Sequence, residues 1–198
     1  MSQIKVLGSS VVGWAGGISR LQAGSFEPQE FIALYNQLFP RIYNYIRYRC
    51  GDADIADDLT ATAFEKALNK LGDYCPQRGP FPAWMFTIAR NVVNNHRRAM
   101  KRRNWLSLDI LHDFPNCGLT PEEDLIHAET QGALLIAMEK LSERERDLLS
   151  LKFAGKFTNR RIHDITGLSE SNVGVILYRS LQKLRMILAD PEEGSHGK

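Results

Sequence analysis

The sequence lacks the features that would build a disulfide scaffold, a zinc ribbon or a membrane anchor. It contains three cysteines, Cys50, Cys75 and Cys117, which lie far apart and form no CxxC pair. This pattern fits a reducing compartment. No apolar run approaches the ~20 residues of a membrane span, and no basic start followed by a long apolar stretch indicates a signal peptide. We therefore expect a cytoplasmic protein without membrane insertion.

The motifs of the common enzyme classes are missing as well. The five histidines form neither HxxxH nor HExxH, and there is no GxGxxG, P-loop or nucleophile elbow. Asp54, Asp57, Asp58 and Glu65 form an acidic patch, but no histidine ligand accompanies them. The sequence therefore predicts no enzymatic activity, no catalytic residue, no metal site and no cofactor. We interpret the patch as a favourable helix start or as a docking surface for a basic partner.

The charges are unevenly distributed, although the net charge is only +2. Residues 1–103 carry 14 Lys/Arg against 8 Asp/Glu, whereas residues 104–128 carry five acidic side chains and no Lys or Arg. Pro115, Gly118 and Pro121 interrupt that acidic stretch. A basic block followed by an acidic connector predicts two modules with different partners.

Apolar residues recur at spacings of three and four, the period of helices, and no segment alternates as a strand would. We predict an all-α protein whose first three helices cover 28–49, about 52–71, and about 81–103. Pro40 should kink or split the first of them. The third carries one apolar stripe, which comprises Phe81, Trp84, Met85, Ile88, Ala89, Val92 and Val93.

The second half of the chain carries clear helix start signals. Ser142 with Glu145 forms a capping box, Thr158 and Ser169 can cap two further helices, and Gly167 marks the tight turn between these two. We therefore expect two small helical domains joined by a flexible acidic linker. The predicted boundaries are a mobile leader at 1–25, a first domain at 26–103, the linker at 104–128, a second domain at 129–189 and a tail at 190–198.

The segment 158–188 has the spacing of a helix-turn-helix, whose second helix enters the major groove of DNA. Asn can pair with adenine, Glu can accept from cytosine and Val can contact a thymine methyl. The predicted base-reading residues are Glu170, Ser171, Asn172, Val175 and Arg179, and the predicted phosphate contacts are Thr158, Arg160, Arg161 and Lys183. The alternative is a plain helical hairpin that packs on its neighbours.

The 81–103 helix has a polar surface opposite its apolar stripe. Arg90, Asn91, Asn94 and Asn95 lie there, and five of the eight residues at 96–103 are lysine or arginine. Cations of this kind bind phosphate with a strong salt dependence. The alternative is a solvated helix end whose cations favour the C-terminal dipole.

Three stretches together resemble one protein family. Residues 54–71, which begin DIADDL, are similar to sigma region two, the part that grips the polymerase clamp. Residues 81–98, with the block FPAWMFTIARN, resemble the segment that recognises and melts the minus-ten element. Residues 141–185, which begin LSERER, resemble region four, whose helix-turn-helix binds the minus-thirty-five element. The family is the extracytoplasmic-function (ECF) type of RNA polymerase sigma factor, which keeps only these two domains.

The resemblance implies a factor that directs promoter-specific transcription initiation. It implies bacterial core RNA polymerase and promoter DNA as partners and, as is common in the family, an anti-sigma factor. The core-binding residues that it implies are Asp54, Asp57, Asp58, Phe64 and Glu65. The minus-ten residues that it implies are Trp84, Arg90, Asn91, Asn94, Asn95, Arg97 and Arg98, with the 72–82 loop as the wall of a base pocket. The minus-thirty-five residues are those of the helix-turn-helix.

Two other classes of function stay open at this point. A stand-alone helix-turn-helix regulator would use only residues 141–188, bind duplex DNA without polymerase and dimerise. An interaction protein that occupies the polymerase clamp would read no promoter, and the basic run at 96–103 argues against it. The recognition helix departs from the family pattern at Gly174 and Val175, where Lys and Ser are frequent.

Overall fold

The computed structural model describes residues 28–106 and 125–189, with side chains over 32–103 and 131–189. All regular structure in these ranges is helical, which confirms the all-α prediction. Their α-helices are α1 Pro28–Cys50, α2 Ala53–Asn69, α3 Phe81–Leu106, α4 Leu125–Glu139, α5 Glu143–Phe153, α6 Asn159–Thr166 and α7 Glu170–Ala189. Both α3 and α4 extend into the stretch that was predicted as linker. The predicted leader, the rest of the linker and the whole of the predicted tail lie outside the described residues.

The N-terminal module, formed by α1, α2 and α3, is a three-helix bundle. Leu38, Ile42 and Ile46 of α1 are buried in its core, at the helical spacing expected from the sequence. However, α1 is one continuous helix through Pro40, so Pro40 does not split it, and the alternative of a kink stays a prediction. Pro40 and Asn36 are both exposed. The Asn36 carbonyl, which has no N–H partner at Pro40, can therefore bond to water.

Local signals set the start of α2 and α3. Asp52 caps α2, because its side chain accepts a hydrogen bond from the Ile55 N–H at 2.8 Å. Two short 3-10 turns, Leu71–Asp73 and Pro76–Arg78, then lead the chain to Gly79. Gly79 has a φ of 149°, a conformation that favours glycine, and α3 begins two residues later.

The C-terminal module, formed by α4 to α7, carries the predicted caps. Ser142 N–H donates to Glu145 Oε2 at 2.9 Å and Glu145 N–H donates to Ser142 Oγ at 3.3 Å, which completes the capping box. Thr158 Oγ1 accepts from the Arg161 N–H at 3.2 Å at the start of α6. Gly167 has a φ of 77° and ends that helix. These four residues act as the sequence predicted.

The two modules pack against each other, which the sequence patterns did not predict. Helix α1 lies against α5, and α3 lies against α6. Phe86 is outside the predicted apolar stripe of α3, yet it is fully buried. Its ring packs edge-on against Phe157, with 4.9 Å between centroids, and against Tyr45 at 5.4 Å. Arg41 lies over the Phe86 and Phe157 rings and donates to the Gly155 carbonyl.

Among the described helices none is long and apolar enough to cross a bilayer. Within the same ranges, no three His, Cys, Asp or Glu side chains are grouped as a metal site. Cys50 and Cys75 are free thiols. Burial raises the pKa of Cys50, which disfavours its reactive thiolate form.

Replacing Ser142 by Ala should lower the free energy of unfolding by about 1 kcal/mol, because the Glu145 N–H loses its acceptor. Ser142→Asp keeps a side-chain acceptor at the same position and should retain most of that stability. Urea denaturation followed by circular dichroism measures both variants. Equal unfolding midpoints for the wild type and Ser142→Ala would contradict the role of the cap.

Candidate nucleic-acid interface

The polar face of α3 is divided between solvent and the C-terminal module. The exposed group comprises Asn91, Asn95 and Arg98. The partly buried group comprises Arg90, Asn94 and Arg97, which bond to residues of α1 and α5. The predicted minus-ten residues of this face thus form one set that is free to meet a ligand and one that is already engaged.

The engaged set surrounds Asp147 of α5, whose side chain is 8% exposed. Arg90 Nε donates to Asp147 Oδ2 at 2.8 Å, and the Tyr45 hydroxyl donates to Oδ1 at 2.7 Å. Arg49 of α1, which is 2% exposed, pairs with Oδ1 and donates to Asn94 Oδ1 at 3.0 Å. One carboxylate of the C-terminal module is therefore held by two guanidinium groups and a hydroxyl of the N-terminal module. We call this group the Asp147 cluster.

Glu143 lies one turn before Asp147 on α5 and extends the ionic contact. Glu143 Oε1 is 2.7 Å from Lys101 Nζ and 3.4 Å from Arg97 Nη2. Arg97 also donates to the backbone carbonyl of Arg49 at 3.1 Å. The hydrogen bond from Lys101 lowers the pKa of Glu143, and the nearby Arg97 acts in the same direction. Glu143 is 45% exposed, so water screens this pair more than the Asp147 cluster.

An aromatic cluster lies where the 72–82 loop meets α3. The half-buried Trp84 ring is 5.4 Å from the Tyr74 ring and 5.3 Å from the Phe81 ring. The Tyr74 hydroxyl donates to the Gly79 carbonyl at 3.2 Å. A cleft opens beside this cluster, and its far wall is formed by Arg161, Asp164 and Ile165 of α6. The loop that was predicted as a base-pocket wall therefore faces the helix-turn-helix.

Helices α6 and α7 have the predicted helix-turn-helix order, and the helical period of α7 separates its buried positions from its exposed ones. It buries Val173, Leu177 and Leu184. The base-reading residues predicted for the other face are all exposed, namely Glu170, Ser171, Asn172, Val175 and Arg179. A Cβ at Gly174 would lie 3.5 Å from the Asn159 side-chain nitrogen, an ordinary contact. Glycine is thus not required there by packing within the chain.

The predicted phosphate contacts of this motif have different surroundings. Thr158 and Arg160 are exposed. Lys183 pairs with Glu145, and Arg161 pairs with Asp164 at 3.0 Å beside the cleft. Two of the four side chains therefore already have a carboxylate partner.

The acidic patch lies on the solvent side of α2, where Asp54, Asp57, Asp58 and Glu65 are exposed. Phe64 differs from these, because it is 8% exposed. Its ring lies 4.7 Å from the Tyr35 ring and 6.1 Å from the Phe39 ring. Phe64 thus supports the helix from the core, while the four carboxylates form the surface.

The sequence analysis did not identify Tyr45, Arg49 and Asp147 as residues of the contact between the two modules. A signal existed for Arg49, because it follows Ile42 and Ile46 at helical spacing and so lies in register with the buried stripe of α1. A charged residue in such a stripe needs a partner in the core. The partner could not be identified from the sequence, since it lies 98 residues away in the other module.

Both modules match regions of a known protein family. Residues 34–103 match Sigma-70 region 2, and residues 131–184 match Sigma-70 region 4. Together the two matches cover more than half of the chain, in the order in which the regions occur in the family. The chain belongs to the sigma-70 family of RNA polymerase sigma factors, and it is of the ECF type.

Curated relatives have the same classification. The chain is 30% identical over 173 residues to the ECF RNA polymerase sigma factor BldN of Streptomyces coelicolor, a match that covers 87% of this chain and 65% of BldN. The chain therefore spans just under two thirds of the length of that relative. It is 28% identical over 172 residues to the RNA polymerase sigma factor YlaC of Bacillus subtilis, covering 81% of this chain and 92% of YlaC.

Two solved structures have a similar fold. One is the sigma factor RpoE in complex with the anti-sigma factor NepR from Bartonella quintana, with a TM-score of 0.69, 21% identity, and coverage of 81% of this chain and 98% of RpoE. The other is CnrH in complex with the cytosolic domain of CnrY, with a TM-score of 0.64, 22% identity, and coverage of 90% and 99%. At these identities the similarity shows the fold alone.

Tyr45 should make the stability of the protein vary with pH in the alkaline range. Burial raises the pKa of the Tyr45 hydroxyl well above its ordinary value, and the charge of Asp147 adds to the effect. Above pH ~10 the unfolded chain loses this proton while the folded chain retains it. The free energy of unfolding should therefore fall as pH rises above ~10, with a contribution of up to about 1.4 kcal/mol per pH unit from this group.

Tyr45→Phe should remove that contribution and should cost about 1.5–3 kcal/mol at neutral pH, where the hydrogen bond to Asp147 is lost. Denaturation as a function of pH measures both effects. Tyr178→Phe is the matched control, since Tyr178 is 66% exposed. The same alkaline slope in Tyr45→Phe and the wild type would contradict the assignment.

Proposed function

We propose that this chain is a sigma factor that binds bacterial core RNA polymerase and directs it to specific promoters. The observation that carries the proposal is the ordered match to regions 2 and 4, combined with an exposed reading face on α7. The proposal places the protein in the cytoplasm, beside the polymerase. It is a transcription initiation factor in this account, with no chemistry of its own.

In this proposal α3 and the loop before it recognise the minus-ten element. Extruding a base costs a few kcal/mol, which a pocket and backbone contacts offset. The aromatic cluster of Tyr74, Phe81 and Trp84 offers stacking surface beside the cleft. The amides of Asn91 and Asn95 suit base edges, and exposed cations such as Arg98 suit phosphates.

Helix α7 recognises the minus-thirty-five element in the same proposal. Its first turns present Glu170, Asn172 and Val175 to solvent, and these side chains match cytosine, adenine and the thymine methyl respectively. The cation of Arg179 follows on the same helix and suits a phosphate or a guanine. Support comes from the clean separation of this face from the buried Val173 and Leu177.

The acidic patch of α2 is the proposed contact with core polymerase. Its four carboxylates are exposed on one helix and make no ion pair among the described side chains, which suits a basic docking surface. We also propose an anti-sigma factor as a partner, since RpoE, which has a similar fold, was solved in complex with the anti-sigma factor NepR. Phe64 contributes to the patch by holding α2 on the core.

Transcription in vitro tests the proposal. Core polymerase supplemented with this protein should initiate at a defined set of sites on a genomic fragment library, and core polymerase alone should not. Absence of site-specific transcripts, together with absence of core binding, would contradict the proposal. Tight binding to duplex DNA as a dimer, without polymerase, would instead support a stand-alone regulator.

Arg98→Ala should weaken promoter binding by the reconstituted holoenzyme, because the shortened side chain no longer reaches a phosphate. The slope of log K against log salt should become shallower by about 0.7–0.9 units. Arg144→Ala, which removes an exposed cation from α5, is the matched control and should leave the slope unchanged. An unaltered slope for Arg98→Ala would remove this residue from the DNA interface.

A further inference from the structure

Gly174 lies in the interior of α7, where packing among the described residues does not require a glycine. A glycine within a helix is destabilising relative to alanine, because the unfolded chain has more conformational freedom to lose. A Cβ at this position would lie 3.5 Å from the Asn159 side-chain nitrogen, an ordinary contact. Since the fold does not need the glycine, a ligand that approaches the α7 backbone closely would explain it.

The missing side chain leaves a small notch on the surface of the helix-turn-helix. Among the described residues, apart from the α7 backbone and the two chain neighbours of Gly174, the Asn159 side-chain nitrogen is the only atom within 4 Å of the Cβ position. Tyr178 lies one turn further along α7, on the same side of the helix. Gly174 thus forms the floor of the notch, Asn159 of α6 forms one wall and Tyr178 forms the other. We call this feature the Gly174 notch.

The α7 side of the notch is apolar and open to solvent. Tyr178 is 66% exposed, and Val175, which follows the floor residue in the chain, is 47% exposed. Apolar surface of this kind is more stable when another apolar group removes it from water. The notch therefore offers an apolar edge to a ligand that carries a small apolar group.

The α6 side of the notch is a hydrogen-bond donor. The Asn159 Oδ1 atom accepts a hydrogen bond from Lys152 Nζ at 3.1 Å. The side-chain nitrogen, which carries two hydrogens, is the atom that faces the notch. With Oδ1 engaged by Lys152, Asn159 presents a donor to the notch rather than the donor and acceptor pair with which asparagine reads adenine.

Thymine is the base whose major-groove edge matches both sides of the notch. It presents the O4 acceptor next to the C5-methyl group. The Asn159 amide can donate to O4 while the methyl group enters the space above Gly174, beside Val175 and Tyr178. Guanine also offers an acceptor but has no methyl group, and cytosine and adenine each present an amino donor that would oppose the Asn159 amide.

The surroundings of the notch favour duplex DNA as the molecule that carries this base. Arg160, in the first turn of α6, and Arg179, next to Tyr178, are exposed and make no ion pair among the described side chains. Such cations suit phosphates. The segment of α7 from Glu170 to Tyr178 spans about 12 Å at ~1.5 Å per residue, which is about the width of the major groove. The notch thus lies within the part of α7 that a major groove can cover.

We infer that the Gly174 notch recognises one thymine methyl group in the upstream promoter element, so that Gly174, Tyr178 and Asn159 are specificity-determining residues. This inference rests on the proposed function, because it takes α7 to be the helix that reads that element. Tyr178 and Asn159 contact the base, and Gly174 acts by leaving space for it. The notch adds to Val175 a second apolar side chain and a donor from α6.

Gly174→Ala separates a ligand-related role from a structural one. Alanine should raise the melting temperature by about 2–4 °C, because it favours the helix. The same variant should weaken promoter binding by the reconstituted holoenzyme about tenfold, because the Cβ fills the notch. Gly132→Ala is the matched control, since a Cβ at Gly132 of α4 has open space around it. It should raise the melting temperature and leave promoter binding unchanged.

Two results of this comparison would overturn the inference. One is unchanged or tighter promoter binding by Gly174→Ala. The other is a lower melting temperature of that variant, which would show that the fold itself requires the glycine.

The second test removes the methyl group from the DNA. Selection with the reconstituted holoenzyme from promoters randomised in the upstream element first gives the preferred element. Each thymine is then replaced by deoxyuridine, which lacks the C5-methyl group and keeps O4. Wild-type binding should weaken about fourfold at one position, the equivalent of ~0.8 kcal/mol for one buried methyl-sized group. An element without thymine on either strand, or without any position sensitive to deoxyuridine, would overturn the inference.

Variants of the protein link the sensitive position to the notch. Tyr178→Ala and Gly174→Ala should bind the thymine and deoxyuridine promoters equally, whereas Tyr178→Phe keeps the ring and should keep the fourfold difference. Asn159→Ala should weaken binding to both promoters, because O4 is present in each. Met186→Ala is the control for an exposed apolar side chain, since Met186 is 65% exposed about two turns beyond Tyr178, and it should keep the difference. A fourfold difference that persists in Tyr178→Ala and Gly174→Ala would contradict the inference.

The outcomes separate this inference from the proposed function. Promoter-specific transcription by the wild type, without a methyl-sensitive position, would reject the notch and leave the sigma-factor assignment intact. Absence of core binding and of promoter-specific transcription by the wild type would reject the proposed function, and the role of the notch with it.

Discussion

Asp147 is the residue on which the arrangement of the two modules depends. Its carboxylate is almost entirely removed from water, and an uncompensated charge in that position would cost several kcal/mol. The donors that compensate it, Tyr45, Arg49 and Arg90, all belong to the other module. Breaking such a group is strongly unfavourable, yet the intact group adds little over an apolar contact of the same size. The Asp147 cluster therefore determines the relative orientation of the two modules more than it adds to the free energy of their contact.

The strength of the contact has a different source. Phe86 and Phe157 are buried against each other between the modules, and complete burial of such a side chain contributes about 1.5–3 kcal/mol. Their edge-to-face geometry adds about 0.5–1.5 kcal/mol. The aromatic pair thus supplies attraction without much direction, and the charged cluster beside it selects one orientation.

Local chemistry explains which parts of the fold the sequence could predict. The caps at Ser142, Thr158 and Gly167 form hydrogen bonds with residues only three or four positions away, so the sequence shows both partners. The helical period of α7 likewise separates buried from exposed positions within one segment of the chain. Of the two effects predicted for Pro40, a kink or a split, the split does not occur, and the reason is tertiary. The core residues Leu38 and Ile42 on either side of it hold one continuous helix in place. The candidate site also has a part that the sequence could not predict. Arg90 is bonded to Asp147, whereas its chain neighbour Asn91 is exposed, and this difference depends on the position of α5.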